Sequence, residues 1–437
     1  MSLKISRILH AGYIFTYGQT NIVFDPIFEN PFSQNCYAFP NIKFDYDKIK
    51  KLRFDAVFIS HYHDDHFSLK SLNLIHRDTP IYIYCIFEEI INLIQQLGFK
   101  KVYQIGVNEK VTISSFAITS RKALDAAVDS LFQIEIENLN ILNVVDSWID
   151  DDTLKKLEDL KPWNLILWPF QKMQELEVLA PDRFPLQASE LPDEWIAQIK
   201  ILQPQSIIPS SCQFKMEEGS WYNNAFFPIS YEKFQHDILK ILPQTKIIKL
   251  NPGQSINWNG SDFVNSKASD WIDPIGDQNL DYQYKPHAII PDTKSIAKNF
   301  PDLQPDQKLK VLNFCRIEIL NLFNTLEKSE DSYFNSDLTW CLILWDNLGE
   351  KTEFIYQIQN HQISLISKAS QYDWTTEIPI FKLYSALENA ESLTSIYVRI
   401  NGSQFEDMID DPLLKCLYNG KVASYQKSQL KDLTINL

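Results

Sequence analysis

The stretch 60–67, with the sequence SHYHDDHF, concentrates residue types that bind metals. Three of the eight histidines of the 437-residue chain, His61, His63 and His66, fall here together with two aspartates. Neutral imidazole and carboxylate oxygens are good ligands for zinc, iron and manganese. Two histidines at positions i and i+2 can turn their rings to one side of an extended loop. The pattern H-x-H-x-D-H directly after an apolar run therefore predicts a metal site rather than a polar loop.

The elements around this stretch must place it at the edge of a sheet. The run DAVFIS at 55–60 predicts a strand that ends where the histidines begin. Further predicted strands lie at 20–26, 80–85, 110–118, 131–136, 139–146, 164–170, 206–211 and 245–250. Predicted helices lie at 87–99, 190–202 and 230–241. Alternating strands and helices, with a hairpin at 131–146, indicate an α/β sandwich with parallel and antiparallel pairs.

The remainder of the chain has a different character. The segment 263–305 is polar and rich in Pro and Asp, which predicts a connecting segment between a catalytic domain at 1–262 and an accessory α+β domain at 306–437. Residues 306–328 predict a long amphipathic helix. The runs at 338–346, 352–358, 362–367 and 395–400 predict antiparallel strands. No catalytic residue types cluster there, so we expect this domain to shape the substrate site or to mediate a homodimer.

The composition limits the class of partner. A formal net charge of −15 argues against a nucleic-acid backbone or an anionic membrane as the main partner. No apolar run reaches the ~18 residues that a membrane-spanning helix needs, and the start MSLKISRILHAGYIF lacks the apolar core of a signal peptide. The six cysteines form no C-x-x-C pair. These features predict a cytoplasmic protein with free thiols and a small-molecule substrate.

The motif SHYHDDH resembles the signature of the metallo-β-lactamase superfamily. The resemblance implies an αββα sandwich that holds one or two divalent ions (zinc, iron or manganese) at its edge. It also implies a set of metal ligands, which in this sequence are His61, His63, Asp65, His66 and, as a bridging carboxylate after the later strand ILNVVDSW, Asp146.

The closer similarity is to the CMP-N-acetylneuraminate hydroxylase-like branch of that superfamily. It is carried by FDPIFENPF, FISHYHDDHFSLKSL, PIYIYC, ILNVVDS, LQPQSIIPSSCQF and NPGQSINW, which together span roughly residues 10–258. Asp25, in FDP, is implied to support the site from behind the ligands. His10, in ILHAGYIF, lies at the place of an early motif, where it either lines the pocket or is a hydrogen-bonded strand residue. The sialic-acid hydroxylases of the branch carry a Rieske domain, which needs two Cys–His pairs that this chain lacks.

The sequence departs from the family pattern at two positions. The family has a further histidine about twenty residues before the bridging aspartate, whereas ITSRKALDAAVDSLFQIE contains none. Asp125 falls at that place, with Asp129 as the second choice. The family also has a last histidine after a late strand, where this chain has Ser211 and Cys212. Cys212 is therefore either a thiolate ligand or a small buried residue.

These departures favour a carboxylate-rich centre with two sites. One site would comprise His61, His63, Asp125 and Asp146. The other would comprise Asp65, His66 and Asp146, with Cys212 as a fourth ligand if it is a thiolate. Two imidazoles with a carboxylate and an open position resemble the arrangement that non-haem Fe(II) favours.

Two enzymatic functions and one non-enzymatic function fit these residues. The first is hydrolysis of an ester, amide or phosphate bond by a metal-activated water, with Asp65 or Asp146 orienting the water and accepting its proton. The second is oxygen activation by a mono- or di-iron oxygenase, which would need an external electron donor. The third is a decayed, metal-stabilised scaffold. The superfamily resemblance favours hydrolysis, and the complete H-x-H-x-D-H motif weighs against decay.

Overall fold

The computed structural model describes residues 2–326, 337–402, 410–418 and 421–435. Up to residue 274 the chain is dominated by short strands. In chain order these are β1 (Leu3–Arg7), β2 (Tyr13–Tyr17), β3 (Thr20–Phe24), β4 (Tyr37–Ala38), β5 (Ile42–Phe44), β6 (Ala56–Ile59), β7 (Ile81–Ile83), β8 (Val102–Gln104), β9 (Lys110–Ile113), β10 (Phe116–Lys122), β11 (Ser130–Ile136), β12 (Leu139–Asn143), β13 (Leu165–Pro169), β14 (Ser206–Ser210), β15 (Phe214–Lys215), β16 (Lys246–Ile247), β17 (Ser255–Trp258), β18 (Phe263–Ser266) and β19 (Ile272–Pro274).

Fifteen of these strands form two mixed sheets. The first sheet has the order β18-β17-β1-β2-β3-β6-β7-β8 and is antiparallel as far as β3 and parallel beyond it. The second sheet has the order β16-β14-β13-β12-β11-β10-β9 and is parallel as far as β12 and antiparallel beyond it. The expected mixture of parallel and antiparallel pairs is confirmed.

The two sheets pack face to face through large apolar side chains. Phe24 and Phe58, on neighbouring strands of the first sheet, stack on each other with ring centroids 5.3 Å apart. Phe132 of the second sheet reaches across and lies 5.3 Å from Phe24 and 5.8 Å from Phe58. Because successive side chains of a strand point to opposite faces, the alternate residues Val23 and Val57 are buried on the outer face of the first sheet. Both faces are thus covered, as expected for the parallel part of a sheet.

Helices cover the two outer faces. They are α1 (Tyr46–Ile49), α2 (Leu69–Leu72), α3 (Glu88–Gln96), α4 (Asp151–Asp159), α5 (Glu175–Leu179), α6 (Asp193–Leu202), α7 (Tyr222–Ala225) and α8 (Tyr231–Ile241). Ile90 of α3, Leu157 of α4 and Ile199 of α6 are fully buried among the outward-facing strand residues. The αββα sandwich implied by the resemblance is confirmed.

One predicted strand is wrong in its extent. The run 110–118 was expected to form one strand, but the structure contains the hairpin of β9 and β10 there. Ser114, in the turn, adopts the left-handed conformation with φ of 55°. The two serines at 114–115 interrupt the apolar alternation, and this local turn chemistry outweighs the β propensity of the flanking residues.

The segment 263–282 packs on the sandwich. β18 pairs with β17 at the edge of the first sheet, and β19 pairs with β5. Tyr282 is buried, and its hydroxyl donates to the carbonyls of Cys212 (2.6 Å) and Phe214 (3.0 Å). Residues from the predicted connecting segment therefore support the edge of the sandwich that carries the candidate site.

The C-terminal part is α+β, as expected. Its elements are α9 (Thr293–Ala297), α10 (Pro305–Asn313), a π-helical turn (Phe314–Glu318), α11 (Ile319–Thr325), β20 (Leu338–Trp345), β21 (Lys351–Gln359), β22 (Gln362–Ile366), β23 (Trp374–Pro379), α12 (Ile380–Asn389), a 3₁₀ turn (Leu393–Ser395), β24 (Arg399–Asn401), α13 (Pro412–Tyr418) and α14 (Ser424–Ile435). Its sheet has the order β22-β21-β20-β23-β24. The predicted antiparallel pairing is confirmed for β20 with β21 and for β21 with β22. The additional strand β23, which the sequence analysis did not predict, runs parallel to β20. Among the described residues, no helix has the length and hydropathy that crossing a membrane requires.

Candidate metal centre

The predicted ligands meet at one edge of the sandwich. His61 to His66 follow β6, Asp25 follows β3 and Asp146 follows β12. His10 lies in the turn between β1 and β2. Because the carboxyl ends of parallel strands point to the same edge of a sheet, these separate stretches of sequence converge there.

Two groups of potential ligand atoms form at this edge. One group consists of His61, His63 and Asp65, and the other of His10, Asp65, His66 and Asp146. Within each group all the ligand atoms lie within 4.8 Å of one another. Asp65 belongs to both groups, so it is the carboxylate that joins them. His61 and His66 are buried whereas His63 is exposed, which places His63 at the solvent side of the site.

His66 is held between two carboxylates. Its Nδ1 lies 3.1 Å from Oδ2 of the buried Asp25, and its Nε2 lies 3.1 Å from Oδ2 of Asp146. Burial alone would lower the pKa of His66, but Asp146 and Asp65 raise it well above its ordinary value. A metal ion on the side of Asp146 would take the place of the Nε2 proton while Nδ1–H donates to Asp25, which is the usual carboxylate–histidine–metal arrangement.

Ser60 gives His61 the same kind of support. The Ser60 hydroxyl donates to Asp25 Oδ2 (2.8 Å), so its oxygen is free to accept from Nδ1 of His61 at 3.0 Å. The backbone N–H of Ser60 donates to Asp25 Oδ1 (2.8 Å). Asp25 therefore sets the orientation of His66 directly and that of His61 through Ser60, and it leaves Nε2 of both rings available as ligands.

His10 has the opposite tautomer. The backbone N–H of Cys212 donates to His10 Nδ1 at 2.8 Å, so in the neutral ring the proton is on Nε2. That Nε2 lies 3.2 Å from Oδ2 of Asp65 and 3.0 Å from Nε2 of His66. A protonated Nε2 donates a hydrogen bond and does not bind a metal ion. His10 consequently serves as a donor to Asp65 at the wall of the site.

The carboxylate nearest to His61 in the loop after β10 is Asp129. Its Oδ1 lies 3.9 Å from Nε2 of His61. Asp125 is exposed, and its Oδ1 accepts from the backbone N–H of Ala127 at 3.2 Å. Neither aspartate belongs to the two groups of ligand atoms. The geometry favours Asp129, the second choice from the sequence, over Asp125.

Ser211 and Cys212 lie behind the site. Both are buried, and the Cys212 thiol is absent from the two ligand groups among the described residues. Burial, followed by the charges of Asp146 and Asp65, raises the pKa of Cys212 well above its ordinary value. Since the thiol lies outside both ligand groups, the contribution of Cys212 to the site is its backbone N–H, which donates to His10.

The backbone around the site is held in unusual conformations. The left-handed region is occupied by His10 (φ 52°), Asp25 (φ 40°), Val145 (φ 65°), Ser211 (φ 56°) and Cys212 (φ 46°). This conformation costs of order 1–3 kcal/mol for a non-glycine residue and clusters at functional sites. All five residues follow strand ends at the ligand edge or form its turn.

Gly12 lets the His10 turn approach Asp25. The turn is closed by hydrogen bonds from Ile8 N–H to Gly12 O and from Gly12 N–H to Leu9 O, both of 2.8 Å. A Cβ atom at position 12 would lie 2.7 Å from the carbonyl oxygen of Asp25 and 3.0 Å from that of Leu9. Such distances are too short for a carbon–oxygen contact, so a side chain here would push the two loops apart.

We expect Gly12→Ala to lower the free energy of unfolding by about 1–3 kcal/mol, the usual cost of overpacking. Urea unfolding followed by circular dichroism measures this change. Gly106→Ala is the matched control, because a Cβ there meets only Glu109 Oε2 at an ordinary 3.7 Å. Equal stability of the two variants would show that the turn and Asp25 are not closely packed.

The buried carboxylates of the site favour the binding of a cation. Oδ1 of Asp129 and Oδ1 of Asp146 are buried without a hydrogen-bond partner among the described residues. Burial, followed by the charge of Asp146, raises the pKa of Asp129 to about 7. Burial, together with His66 and His63, lowers the pKa of His61 well below its ordinary value, so its ring is neutral and able to bind a metal. Converging carboxylates with orphaned oxygens and neutral imidazoles fit a divalent ion.

Sequence reasoning missed Ser60, Glu175 and Gln426. Ser60 precedes the motif and is uninformative by type. Glu175, at the start of α5, is half-buried, and burial and the charge of Asp65 raise its pKa to about 7. Gln426 lies on α14, far away in sequence, and donates to the backbone of the histidine loop. No local pattern marks the last two residues, because only the tertiary fold brings them to the site.

Comparisons with known proteins leave the activity of this chain open. No family model and no curated protein matches the sequence. A metallo hydrolase from the archaeon Ignicoccus hospitalis has 14% identity and a TM-score of 0.42, over 59% of this chain and 99% of that chain. An isothiocyanate hydrolase from Delia radicum gut bacteria has 15% identity and a TM-score of 0.43, over 58% and 97%. CmlA, a diiron β-hydroxylase from Streptomyces venezuelae, has 14% identity and a TM-score of 0.38, over 59% and 53%. These identities and TM-scores are too low to indicate a function, so the chemistry of the site is inferred from its own side chains.

Proposed function

We propose that this chain is a metal-dependent hydrolase acting on an ester, amide or phosphate bond of a small molecule. The observation that carries the proposal is the pair of ligand groups that share Asp65. Such a pair suits two neighbouring divalent ions, or one ion with a flexible ligand set. The proposed ligands are His61, His63, Asp65, His66, Asp129 and Asp146, with zinc, manganese or iron as the metal.

When bound, the divalent ion supplies a Lewis acid and a water whose pKa is lowered towards neutrality. The protein residues orient the reactants and move protons. Burial alone would raise the pKa values of Asp65 and Asp146, but His66 holds both below their ordinary range, so these carboxylates act as ligands and orient the water. The residue proposed to accept the proton of that water is Asp65 or Asp146.

Further residues hold the reacting groups in place. Asp25 and Ser60 fix the rings of His61 and His66, as their hydrogen bonds indicate. The Nε2–H of His10 fixes Asp65. We propose a cytoplasmic setting, because all six cysteines are buried free thiols of the kind that a reducing compartment preserves.

Removal and return of the metal test this function. We expect a chelator to abolish hydrolysis of whichever substrate is found in a screen of esters, amides and phosphodiesters. One divalent metal, added back after the chelator is removed, should restore at least half of the rate. Hydrolysis that continues at full rate in metal-free protein would contradict the proposal.

A second candidate function is oxygenation at iron. The observation that favours it is the group of His61, His63 and Asp65, which is a two-histidine, one-carboxylate set. An external electron donor would then be required. Oxygen consumption by the iron-loaded protein with a chemical reductant, greater than that of a zinc-loaded sample, would move this function ahead of hydrolysis.

A further inference from the structure

The carboxamide of Gln426, on the C-terminal helix α14, reaches into the histidine loop. Its Nε2 donates to the carbonyl oxygen of Tyr62 at 3.1 Å and to that of Phe67 at 2.8 Å. Tyr62 lies between the ligands His61 and His63, and Phe67 directly follows His66. One buried side chain, only 2% exposed, thus bridges the two ends of the loop that carries the proposed ligands.

The loop has little internal support of its own. Within 60–67 the backbone hydrogen bonds run from the N–H groups of His66 (3.1 Å) and Phe67 (2.8 Å) to the carbonyl of His63. Among the described residues, Gln426 is the hydrogen-bond donor to the carbonyls of Tyr62 and Phe67. Buried carbonyls need such partners, so loss of the amide would favour a different loop conformation.

The neighbouring part of α14 is fixed next to the loop. Gln429, one turn on and 1% exposed, accepts from the backbone N–H of Leu69 at 2.7 Å and donates to Ser68 Oγ at 3.0 Å. Residues at i and i+3 share a helix face, so both glutamines face the sandwich. Ser68 also caps α2, the helix that follows the loop. The helix therefore positions Gln426 accurately.

We infer that Gln426 is a positioning residue of the metal centre, through which the C-terminal domain holds the ligand loop in its metal-binding shape. The inference rests on the proposed metal centre and gives the C-terminal domain a role different from substrate shaping or dimerisation. A ligand set is productive only within about 0.5 Å of its required geometry. A side chain that spans the loop is therefore expected to govern metal affinity rather than overall folding.

The test is a Gln426→Met variant, which keeps the length and helix propensity of the side chain and removes both donors. Zinc affinity is measured in competition with a chromophoric chelator, at a temperature at which circular dichroism shows both proteins folded. We expect about a tenfold loss of affinity, the lower end of the range for residues that orient ligands. Hydrogen exchange of the metal-free protein should also be faster at 61–67 in the variant than in the wild type.

Lys431→Met is the matched control, because Lys431 lies on the exposed face of the same helix. It should bind zinc like the wild type. If Gln426→Met does not fold, Gln426→Asn, whose shorter side chain cannot span both carbonyls, is measured in the same way. An affinity within twofold of the wild type in the folded Gln426 variant would overturn the inference. Failure of the wild type itself to bind zinc, manganese or iron would instead contradict the proposed function.

Discussion

A protein in which His61 and His63 are both replaced by alanine is expected to lose its divalent metal and all measurable hydrolytic activity. The two imidazoles are two of the three ligands of one ligand group, in which Asp65 is the third. Loss of an outer hydrogen-bonding partner typically costs about 10- to 100-fold in metal affinity, so loss of two direct ligands should cost more. Mass spectrometry after equilibrium dialysis against zinc, manganese or iron(II) measures the effect.

The fold should survive this change. His63 is exposed, and both histidines lie in the loop after β6 rather than in a strand. His76→Ala is the matched control, since His76 is half-exposed and its ion-pair partner among the described residues is Asp78, at 3.6 Å. It should keep full metal content. A double variant that kept full metal content and activity would exclude the edge of the sandwich as the metal centre.

Asp25→Asn is expected to lower metal affinity about 10- to 100-fold while leaving the shape of the site unchanged. The backbone N–H of Ser60 must donate to Oδ1, so the amide oxygen takes that place. The NH₂ group then takes the place of Oδ2 and faces Nδ1 of His66. An amide NH₂ group can donate a hydrogen bond to Nδ1 but cannot accept one from it. Nδ1 of His66 becomes an acceptor, its proton moves to Nε2, and the lone pair needed for the metal is lost. Competition titration with a chelator measures the affinity.

Asparagine tolerates the left-handed backbone of position 25, so strain does not confound this variant. Asp55→Asn is a suitable control, because Asp55 also accepts from a backbone N–H, that of Asn21 at 2.8 Å, but is exposed and remote from the site. Metal affinity equal to that of the wild type in Asp25→Asn would mean that Asp25 does not set the tautomer of His66.

The sandwich was predictable because its strands are short apolar runs separated by turn residues, and because the H-x-H-x-D-H motif follows one of them. The runs at 55–60, 164–170 and 206–211 were placed to within two residues of β6, β13 and β14. β23 was missed since WTTEIP carries few apolar residues and lies next to β20 only through a long-range parallel pairing. Pairing at such separations leaves no local signal in the sequence.

The site was predictable where its residues are contiguous and less so where the fold assembles it. The spacing of His61, His63, Asp65 and His66 in the sequence identifies them as candidate metal ligands. The choice between Asp125 and Asp129 depends on the conformation of the loop after β10, which spacing cannot supply. The role of Cys212 depends on which of its groups contacts the site. That group is its backbone N–H, which donates to His10, rather than its thiol. Gln426 lies more than 350 residues from its partners in the loop, so only tertiary structure could identify it.

The most direct test of the central claim is the metal content of the wild-type protein, purified anaerobically without added metal or chelator and measured by mass spectrometry. We expect one or two divalent ions per chain. Zinc or manganese would support hydrolysis, and iron would lead to the oxygen-consumption assay. Protein that contains no divalent metal, and that takes up none when incubated with zinc, manganese or iron(II), would contradict the existence of a metal centre at this edge of the sandwich.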